Sequence, residues 1–391
     1  MKVLLTDGSG LTSRQAATQL AASGHVVEAV APTRLGLVSF TRHVRRVHRV
    51  PAFGRDPLGW LEATLSVLAR GGHDVLLPTQ EQVTILARDA GRVPAALAAP
   101  PFASLLRVQD KVAQLETLAV VGLPHPPSVV VRSASEVPRL PAYLKTPIGT
   151  ASCGVQLVRD RAELGSDTDF PVVAQQPLAG PLVMVQSVFA RGRLIAWHAN
   201  LREREGAGGG SSVKRSISLP VVEEHLARLG AELEWHGALS MDAILTPDGP
   251  SYIDLNPRLV EPGNAWRAGV DLVDALVRVS VGADVSPLAA GRAGVRTHQT
   301  LLSVLGAAQN GGGRQGVLRE LALAVVRRGP YAGSSEELTP VRSDPLAALP
   351  VAAATAATLV APGSHRFFTG GAVSAYALTP EAWRQIAGAE Y

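Results

Sequence analysis

The sequence predicts an α/β protein, with a parallel sheet at the N-terminal end and α+β structure with antiparallel hairpins after it. Up to about residue 100, short apolar segments alternate with amphipathic segments of helical length. Further along, apolar segments are joined in pairs by short turns, which is typical of hairpins. Hydrophobic residues make up 46% of the 391 residues, so a large core is available.

The N-terminal part contains the pattern of βαβ units. The predicted elements are a strand over 2–6, a helix from Thr12 or Ser13 as its cap to Ala22, a strand over 25–31, a helix over 56–72 and a strand over 73–79. Strands separated by helices of about 10–15 residues indicate a parallel sheet. Gly8, Gly10 and Glu28 resemble a dinucleotide fingerprint, but Ser13 occupies the third glycine position, which favours a plain βα turn.

Charge and composition exclude several classes of protein. The net charge of +4 is too small to indicate a nucleic-acid partner, and the basic segment 41–50 has no aromatic residues between its charges. The lone Cys153 excludes an internal disulfide and a multi-cysteine zinc site. Asp7 interrupts the opening apolar run, and the apolar stretch 351–361 is shorter than the ~20 residues of a membrane span. We therefore expect a cytoplasmic protein without a membrane partner.

Beyond residue 100 the predicted elements belong to a second architecture. They are a helix over 107–122, strands over 128–131, 142–147 and 154–158, a hairpin over 182–201, a glycine-rich loop over 202–215, a helix over 221–235 and a hairpin over 240–256. After residue 285 the pattern fades into alanine-rich helix and loop.

The hairpin around TPDGP brings acidic residues together. A turn over 246–250 places Asp242 opposite Asp254 and Leu245 opposite Ser251, with Asn256 on the face of the two carboxylates. Opposed carboxylates repel each other unless a cation lies between them, and Mg²⁺ prefers oxygen ligands of this kind. The hairpin therefore predicts a magnesium site, and a solvent-facing hairpin with incidental acids is the alternative.

Two glycine-rich segments could contact an anion. Lys145 precedes a loop of small residues that could fold its backbone N–H groups over phosphates, although it is no Walker A loop and a simple turn is the alternative. The second loop, over 206–212, is bracketed by basic residues and is either a mobile anion clamp or a flexible connection. Its basic residues are Arg202, Arg204, Lys214 and Arg215.

The order of these segments resembles the ATP-grasp superfamily, and in particular its carbamoyl-phosphate-synthetase-like and biotin-carboxylase-like branch. The matching segments are Asp110-Lys111, YLKTPIGTASCGV, VVAQQPLAG, LREREGAGGGSS and the hairpin from MDAIL to DLNPR. The resemblance covers about residues 1–285 and implies a domain that precedes an ATP-grasp fold of two α+β subdomains. The implied ranges are 1–100 for the preceding domain, 101–180 for the small subdomain with its flap, 181–285 for the large subdomain with the metal site and 286–391 for a C-terminal extension.

The resemblance also implies roles for individual residues. Lys111 and Lys145 resemble the lysines that hold ATP phosphates, and Arg258 resembles a phosphate-facing catalytic arginine. The implied flap residues are Gly149, Thr150, Ser152 and Gly154, and the implied adenine-reading hinge residues are Gln175, Gln176 and Leu178. The implied ligands of Mg²⁺, with Mn²⁺ as a second option, are Asp242, Asp254 and Asn256. Arg202 resembles a residue lining the acceptor side, where it would assist catalysis.

Three positions depart from the pattern of the family. Asp254 stands where a longer glutamate is usual, and Gln175-Gln176 stand where the hinge usually carries glutamate. No acidic residue follows in PLVMVQS to contact the ribose. Metal geometry and nucleotide affinity are therefore expected to differ from the family's.

The chemistry that the resemblance implies is an ADP-forming ligation. ATP phosphorylates a carboxylate, and an amine attacks the resulting acylphosphate, with both substrates small molecules. Carboxylation through carboxyphosphate and a non-catalytic nucleotide-binding protein are the alternatives, and a homodimer is compatible with each. Glu261, Asn264 and Arg267 are candidates for the acceptor pocket, or else the ordinary start of a helix.

Overall fold

The fold is taken from a computed structural model, which describes residues 1–164 and 170–388. Its N-terminal part is a parallel sheet, as the sequence predicts, and it has four strands in the order β3-β2-β1-β4. The strands are β1 (Lys2–Leu5), β2 (Val26–Ala31), β3 (Val44–Arg49) and β4 (Val75–Leu77), and the helices are α1 (Leu11–Ala22), α2 (Pro57–Gly71) and α3 (Val83–Arg88).

A small antiparallel sheet follows two short helices. The elements are α4 (Phe102–Gln109), α5 (Lys111–Val121), β5 (Ser128–Val131), β6 (Ala142–Lys145), β7 (Val155–Val158) and β8 (Val172–Gln175). The strands pair in the order β5-β8-β6-β7, and Leu144, Val158 and Val172 form the centre of their own small core.

A seven-stranded sheet forms the largest layer, in the order β13-β12-β9-β10-β11-β14-β15. Its elements are β9 (Leu182–Ala190), β10 (Arg193–Glu205), β11 (Ser211–Ser216), α6 (Pro220–Leu233), β12 (Gly237–Thr246), β13 (Gly249–Asn256), α7 (Gly263–Ala268), α8 (Leu272–Ser280), β14 (Arg296–His298) and β15 (Ser334–Glu336). On one face, Val185, Met241 and Leu255 pack with α6 in a continuous core. This sheet continues past residue 285, because β14 and β15 pair along its edge.

The remaining helices connect the C-terminal segment to the rest of the molecule. They are α9 (Thr300–Gln309), α10 (Gly313–Val326), α11 (Ala348–Val360), α12 (His365–Tyr376) and α13 (Pro380–Ala387). Trp383 of α13 lies in the same core cluster as Trp60 of α2 and Leu4 of β1. Within the described residues, no helix is long and apolar enough to cross a membrane.

Three predicted elements differ from the structure in a way that affects the site. The helix predicted over 107–122 breaks at Asp110, whose carboxylate caps α5 by accepting from the backbone N–H groups of Val112 and Ala113 at 2.7 and 3.3 Å. Thr12 and Ser13 do not cap α1. They lie inside its first turn, because the helix starts at Leu11.

The glycine-rich loop is also shorter than predicted. Residues 202–205 extend β10 and residues 211–215 belong to β11, so only 206–210 remain between the two strands. The antiparallel ladder between these strands satisfies backbone groups that a loop would leave to solvent.

Candidate active site

The two carboxylates lie opposite each other, as predicted, but the residue pairs nearer the turn differ from the predicted ones. The turn has only two residues between Thr246 and Gly249, so Ile244 lies opposite Ser251, and the predicted pairing of Leu245 with Ser251 is wrong. An extra residue on β13 forms a bulge between these pairs and the next one, which restores the pairing of Asp242 with Asp254.

The polar face of the large sheet carries the site. Directly paired residues share a face, and alternate residues of β9 to β14 place polar side chains opposite the core that packs on α6. These side chains are Asp254, Asn256, Ser240, Asp242, Gln186, His198, Asn200, Arg202, Lys214 and Thr297. The predicted ligand set and Arg202 therefore lie on one surface.

The carboxylate pair has the electrostatics of a cation site. Burial and the neighbouring charge of Asp254 raise the pKa of Asp242 to about 7, against the opposing effects of Arg258, Lys145 and Arg202. The ammonium of Lys111 lies 3.2 Å from Oδ1 of Asp254. A cation between the two acids would relieve the repulsion that keeps the pKa of Asp242 high.

Two lysines from different elements converge on this pair. Lys145 ends β6 with only 7% of its surface exposed, and its Nζ donates to the backbone oxygen of Ile253 in the bulge at 2.6 Å. Burial lowers the pKa of Lys145 to about 8, although Asp254 opposes the shift. Both lysines and Gln175 line a cavity of about 10 Å³ between the small and large sheets. This cavity has room for a water-sized group only.

The predicted hinge connects the small and large sheets. Gln175, at the end of β8, donates from Nε2 to the Ser128 hydroxyl at 3.2 Å. The backbone N–H of Gln176 donates to the backbone oxygen of Pro127 at 2.9 Å, and its side-chain Nε2 donates to the backbone oxygen of Arg139 at 3.2 Å. Leu178 is half-buried in the segment that follows. The hinge N–H of Gln176 is thus already paired.

The predicted flap connects β6 to β7 and has a tight turn. Gly154 has φ of +78°, and the backbone N–H of Thr146 donates to its oxygen at 2.9 Å. A side chain at Gly154 would collide with the Thr146 hydroxyl, which explains the glycine. Ser152 also adopts a left-handed conformation, with φ of +64°. The buried Thr150 hydroxyl accepts from the backbone N–H of Leu378 at 3.1 Å, so the flap rests on the C-terminal segment.

Arg258 is held by a glutamate that the sequence analysis missed. Its Nε and Nη2 donate to Oε1 of Glu81 at 3.1 and 3.0 Å, and both side chains are buried. Glu81 follows the carboxyl end of β4, next to the turn that follows β1. Ligands of parallel sheets bind beyond the carboxyl ends of the strands where the strand order reverses, here between β1 and β4. The position of Glu81 after β4 could therefore have indicated a functional residue.

The basic residues that bracket the glycine-rich segment are bound by protein groups. Arg204 is paired with Glu320 at 2.6 Å and Arg215 with Glu203 at 2.6 Å, whereas Arg202 donates to the Gly209 oxygen at 2.9 Å. These ion pairs connect the two strands to their neighbours. Strand pairing places only Arg202 and Lys214, of the four basic residues, on the polar face.

Lys214 is fully buried in a network that joins the N-terminal part to the large sheet. Its Nζ lies 2.6 Å from Oε2 of Glu261 and 2.7 Å from Oε1 of Glu337. The two carboxylates hold the pKa of Lys214 above its usual value although burial lowers it. Thr12 accepts from the backbone N–H of Glu261 at 3.1 Å. Glu261 is therefore already bound by protein groups.

The other acceptor candidates have protein partners too. Asn264 binds Nε2 of His198 through Oδ1 at 2.8 Å and donates from Nδ2 to the Thr297 hydroxyl at 2.8 Å. Arg267 stacks on the Trp266 ring at 4.8 Å. Asn200, which sequence reasoning missed, is buried on the polar face, and its amide has no partner among the described residues. The period of two from Arg202 could have indicated it.

Comparison with known protein sequences gives little information on function. No family model matches the chain. The uncharacterized protein y4rH of Sinorhizobium fredii is 29% identical over 218 residues. This match covers 48% of the chain and 44% of that relative, so the chain spans less than half of the relative's length.

Solved structures are similar over most of the chain. The biotin carboxylase domain dimer of 2-oxoglutarate carboxylase from Hydrogenobacter thermophilus, in complex with MgADP, ADP and bicarbonate, has a TM-score of 0.58 at 17% identity, covering 75% of this chain and 73% of that one. N5-carboxyaminoimidazole ribonucleotide synthetase from Thermus thermophilus has a TM-score of 0.58 at 18% identity, covering 76% and 81%. L-amino acid ligase from Bacillus licheniformis has a TM-score of 0.56 at 17% identity, covering 72% and 74%. At these identities the likeness shows the fold, and the predicted ATP-grasp fold is confirmed.

Proposed function

We propose that this chain is an ATP-dependent, ADP-forming ligase that activates a small carboxylate as an acylphosphate and couples it to an amine. The observation that carries the proposal is the meeting of Lys111 and Lys145 with Asp242 and Asp254 in one cleft. Two cations beside a close carboxylate pair suit a polyphosphate with its metal ion. The ATP-grasp fold supports the same reading.

The two lysines are our candidates for the nucleotide phosphates. With a pKa of about 8, Lys145 is mostly protonated at neutral pH, so its charge is available to a phosphate. Lys111 is the first residue of α5, whose first backbone N–H groups are already capped by the Asp110 carboxylate, so its ammonium is the group that could hold a phosphate. The cavity of about 10 Å³ between them is too small for a nucleotide. A nucleotide would therefore extend beyond this cavity, which would hold part of its phosphates at most.

The carboxylate pair and Asn256 suit Mg²⁺. The fit follows from the raised pKa of Asp242, which reflects burial and a second carboxylate directly opposite on the neighbouring strand. Asp242, Asp254 and Asn256 would hold the ion. When bound, it would neutralise charge on the ATP phosphates.

The residues of the chain position the reactants rather than act as a base. A carboxylate oxygen attacks the γ-phosphorus, the bond to the β-phosphate oxygen breaks, and ADP leaves with that electron pair. The amine then attacks the acyl carbon, inorganic phosphate leaves, and the amine proton passes to solvent. Lys145 and Arg258 are our candidates for the transferring phosphoryl group, and Arg202 is our candidate for the acceptor side.

Water must be excluded, because an acylphosphate hydrolyses. The flap and the hairpin end at 206–210 are the segments that could close over the polar face. Protection of either segment from proteolysis by MgATP would support this role.

A second candidate is carboxylation of an acceptor through carboxyphosphate. Two of the three solved structures named above belong to a carboxylase and a carboxyamino-forming synthetase. ADP release that requires bicarbonate would favour this reaction. ATP binding without acceptor-dependent turnover would instead indicate a non-catalytic protein.

The test is a screen of carboxylate and amine pairs for ADP release, followed by mass spectrometry of the product. We expect ADP release to require one carboxylate and to increase with one amine, with the condensed product detected. The Asp254→Asn variant is the control for contaminating ATPases. ADP release that is equal in this variant and in the wild type would overturn the proposal.

A further inference from the structure

Three potential metal ligands meet in the N-terminal part, away from the site described above. Oε2 of Glu28 lies 2.6 Å from Nε2 of His48 and 3.1 Å from Nε2 of His73. The three ligand atoms lie within 4.8 Å of one another. Glu28 belongs to β2, His48 to β3, and His73 precedes β4.

Two of the groups around Glu28, His73 and Lys2, lie at amino ends of strands, whereas His48 lies near the carboxyl end of β3. His73 precedes the amino end of β4, whereas Glu81 follows the carboxyl end of the same strand. Lys2, at the amino end of β1, binds the other oxygen of Glu28 at 3.0 Å and the Gly71 backbone oxygen at 2.7 Å. Lys2 therefore fixes the carboxylate and leaves Oε2 to the two imidazoles.

The three ligands differ in exposure. The side chain of His73 is 0% exposed and that of Glu28 is 6% exposed, whereas that of His48 is 15% exposed. An ion between them would be shielded on two sides and reachable from the side of His48.

Hydrogen bonds keep the Glu28 carboxylate ionised. Burial alone would raise the pKa of Glu28, but hydrogen bonds from His48, Lys2 and His73 outweigh it and lower that pKa to about 2. Burial lowers the pKa of His73, although its hydrogen bond to Glu28 opposes the shift. The Glu28 carboxylate is thus ionised at neutral pH, and the oxygen that contacts both imidazoles is the one that would face an ion.

We propose that Glu28, His48 and His73 form a binding site for a transition-metal ion of the Zn²⁺ class. Two imidazoles and one carboxylate suit Zn²⁺, whereas Mg²⁺ and Ca²⁺ prefer oxygen ligands. Bonds of about 2.1 Å to a tetrahedral ion separate its ligands by about 3.4 Å. Two of the present separations, 2.6 and 3.1 Å, are shorter than this and the third is at most 4.8 Å, so the side chains would shift by about an ångström to admit the ion.

The role that follows is structural. The three ligands come from β2, from β3 and from the segment before β4, so an ion would tie together three neighbouring parts of the parallel sheet. An ion that binds only the folded chain raises its stability by mass action. The inference is independent of the ligase proposal.

The test uses Co²⁺ and Zn²⁺ with the full chain in the absence of nucleotide. Co²⁺ bound to a tetrahedral site absorbs visible light, and Zn²⁺ should displace it. We expect one equivalent of Co²⁺ to give this absorption, and Zn²⁺ to raise the melting temperature. His48→Ala should weaken binding at least ~10-fold, because one of three protein ligands is lost.

Two control variants separate this site from others. Asp242→Asn should keep the Co²⁺ absorption, because that residue belongs to the proposed magnesium site, and His125→Ala should keep it as a histidine outside the cluster. If Glu28→Gln or His73→Ala fails to fold, the more exposed His48 still provides the test. Absence of Co²⁺ and Zn²⁺ binding, binding unchanged in His48→Ala, or binding lost in Asp242→Asn would each overturn the proposal.

Discussion

Asp242 and Asp254 lie directly opposite each other on β12 and β13, although every pair nearer the turn is one residue out of that register. A bulge on β13 produces the shift, and the backbone oxygen of the extra residue, Ile253, accepts from Lys145. The bulge therefore aligns the carboxylates and also provides the contact that holds the lysine beside them. One irregularity in a hairpin thus links the small sheet to the large one.

The first prediction concerns the carboxylates. Asp242→Asn and Asp254→Asn should each lower turnover by at least ~10²-fold, because loss of one ligand weakens neutralisation of the phosphates. Both side chains lie on a polar face rather than in the apolar core, so the melting temperature should stay within a few degrees of the wild type. Steady-state ADP release and thermal denaturation measure the two effects. Near-normal turnover in both variants would contradict the metal assignment.

The second prediction concerns the lysines. Lys145→Ala should raise the KM for ATP and lower kcat, with kcat/KM falling by roughly 10²-fold, because its charge acts in both the ground state and the transition state. Lys111→Ala should act mainly on ATP affinity, which titration calorimetry measures. Arg107→Ala, which removes an exposed cation paired with Glu232, is the matched control and should leave both quantities unchanged. If neither lysine variant alters nucleotide binding, the lysines have no role in it.

How far the sequence predicts this site depends on how local each contact is. The facing of Asp242 and Asp254 was predicted from one hairpin, but with the wrong turn, and a two-residue turn followed by a bulge gives the same pairing. The bulge was not predictable, because its contacts come from Lys145 on another sheet. The ion pair of Arg258 with Glu81 joins residues 177 positions apart in the chain, and no local pattern specifies such a pair.

The third prediction separates the structural and chemical roles of that pair. Glu81→Gln leaves a buried guanidinium without its counter-charge and should lower the free energy of unfolding by about 3–5 kcal/mol. The double variant Glu81→Leu with Arg258→Met should recover most of that loss, since replacing a whole buried pair is often neutral. Urea denaturation measures both. Turnover should stay low in the double variant, and its recovery would exclude Arg258 from the chemistry.

The fourth prediction concerns pH and His198. Burial lowers its pKa to about 4, although the hydrogen bond with Asn264 opposes the shift. The unfolded chain takes up this proton near pH 6.5 and the folded chain only near pH 4, so its contribution to stability is present above pH 6.5 and is lost as the pH falls towards 4. The loss is on the order of 3 kcal/mol.

A comparison of variants isolates this contribution. His198→Gln should be less sensitive to pH between 6.5 and 4 than the wild type in urea denaturation, whereas His125→Gln, altered at a half-buried histidine elsewhere, should follow the wild type. Equal pH dependence in His198→Gln and the wild type would show that His198 is not held neutral in the folded protein.

The last prediction concerns which bond of ATP breaks. Lys145, Lys111 and the carboxylate pair converge on one small region of the cleft, and the flap follows Lys145 directly in the chain. A cation cluster of this kind suits the β- and γ-phosphates, so the products should be ADP and inorganic phosphate. A carboxylate substrate labelled with heavy oxygen should pass one labelled oxygen to the released phosphate, because the acylphosphate forms through that atom and its acyl–oxygen bond then breaks. Mass spectrometry of the phosphate measures the transfer. AMP and pyrophosphate as products, or phosphate without the label, would exclude an acylphosphate even if ATP binds between the two lysines.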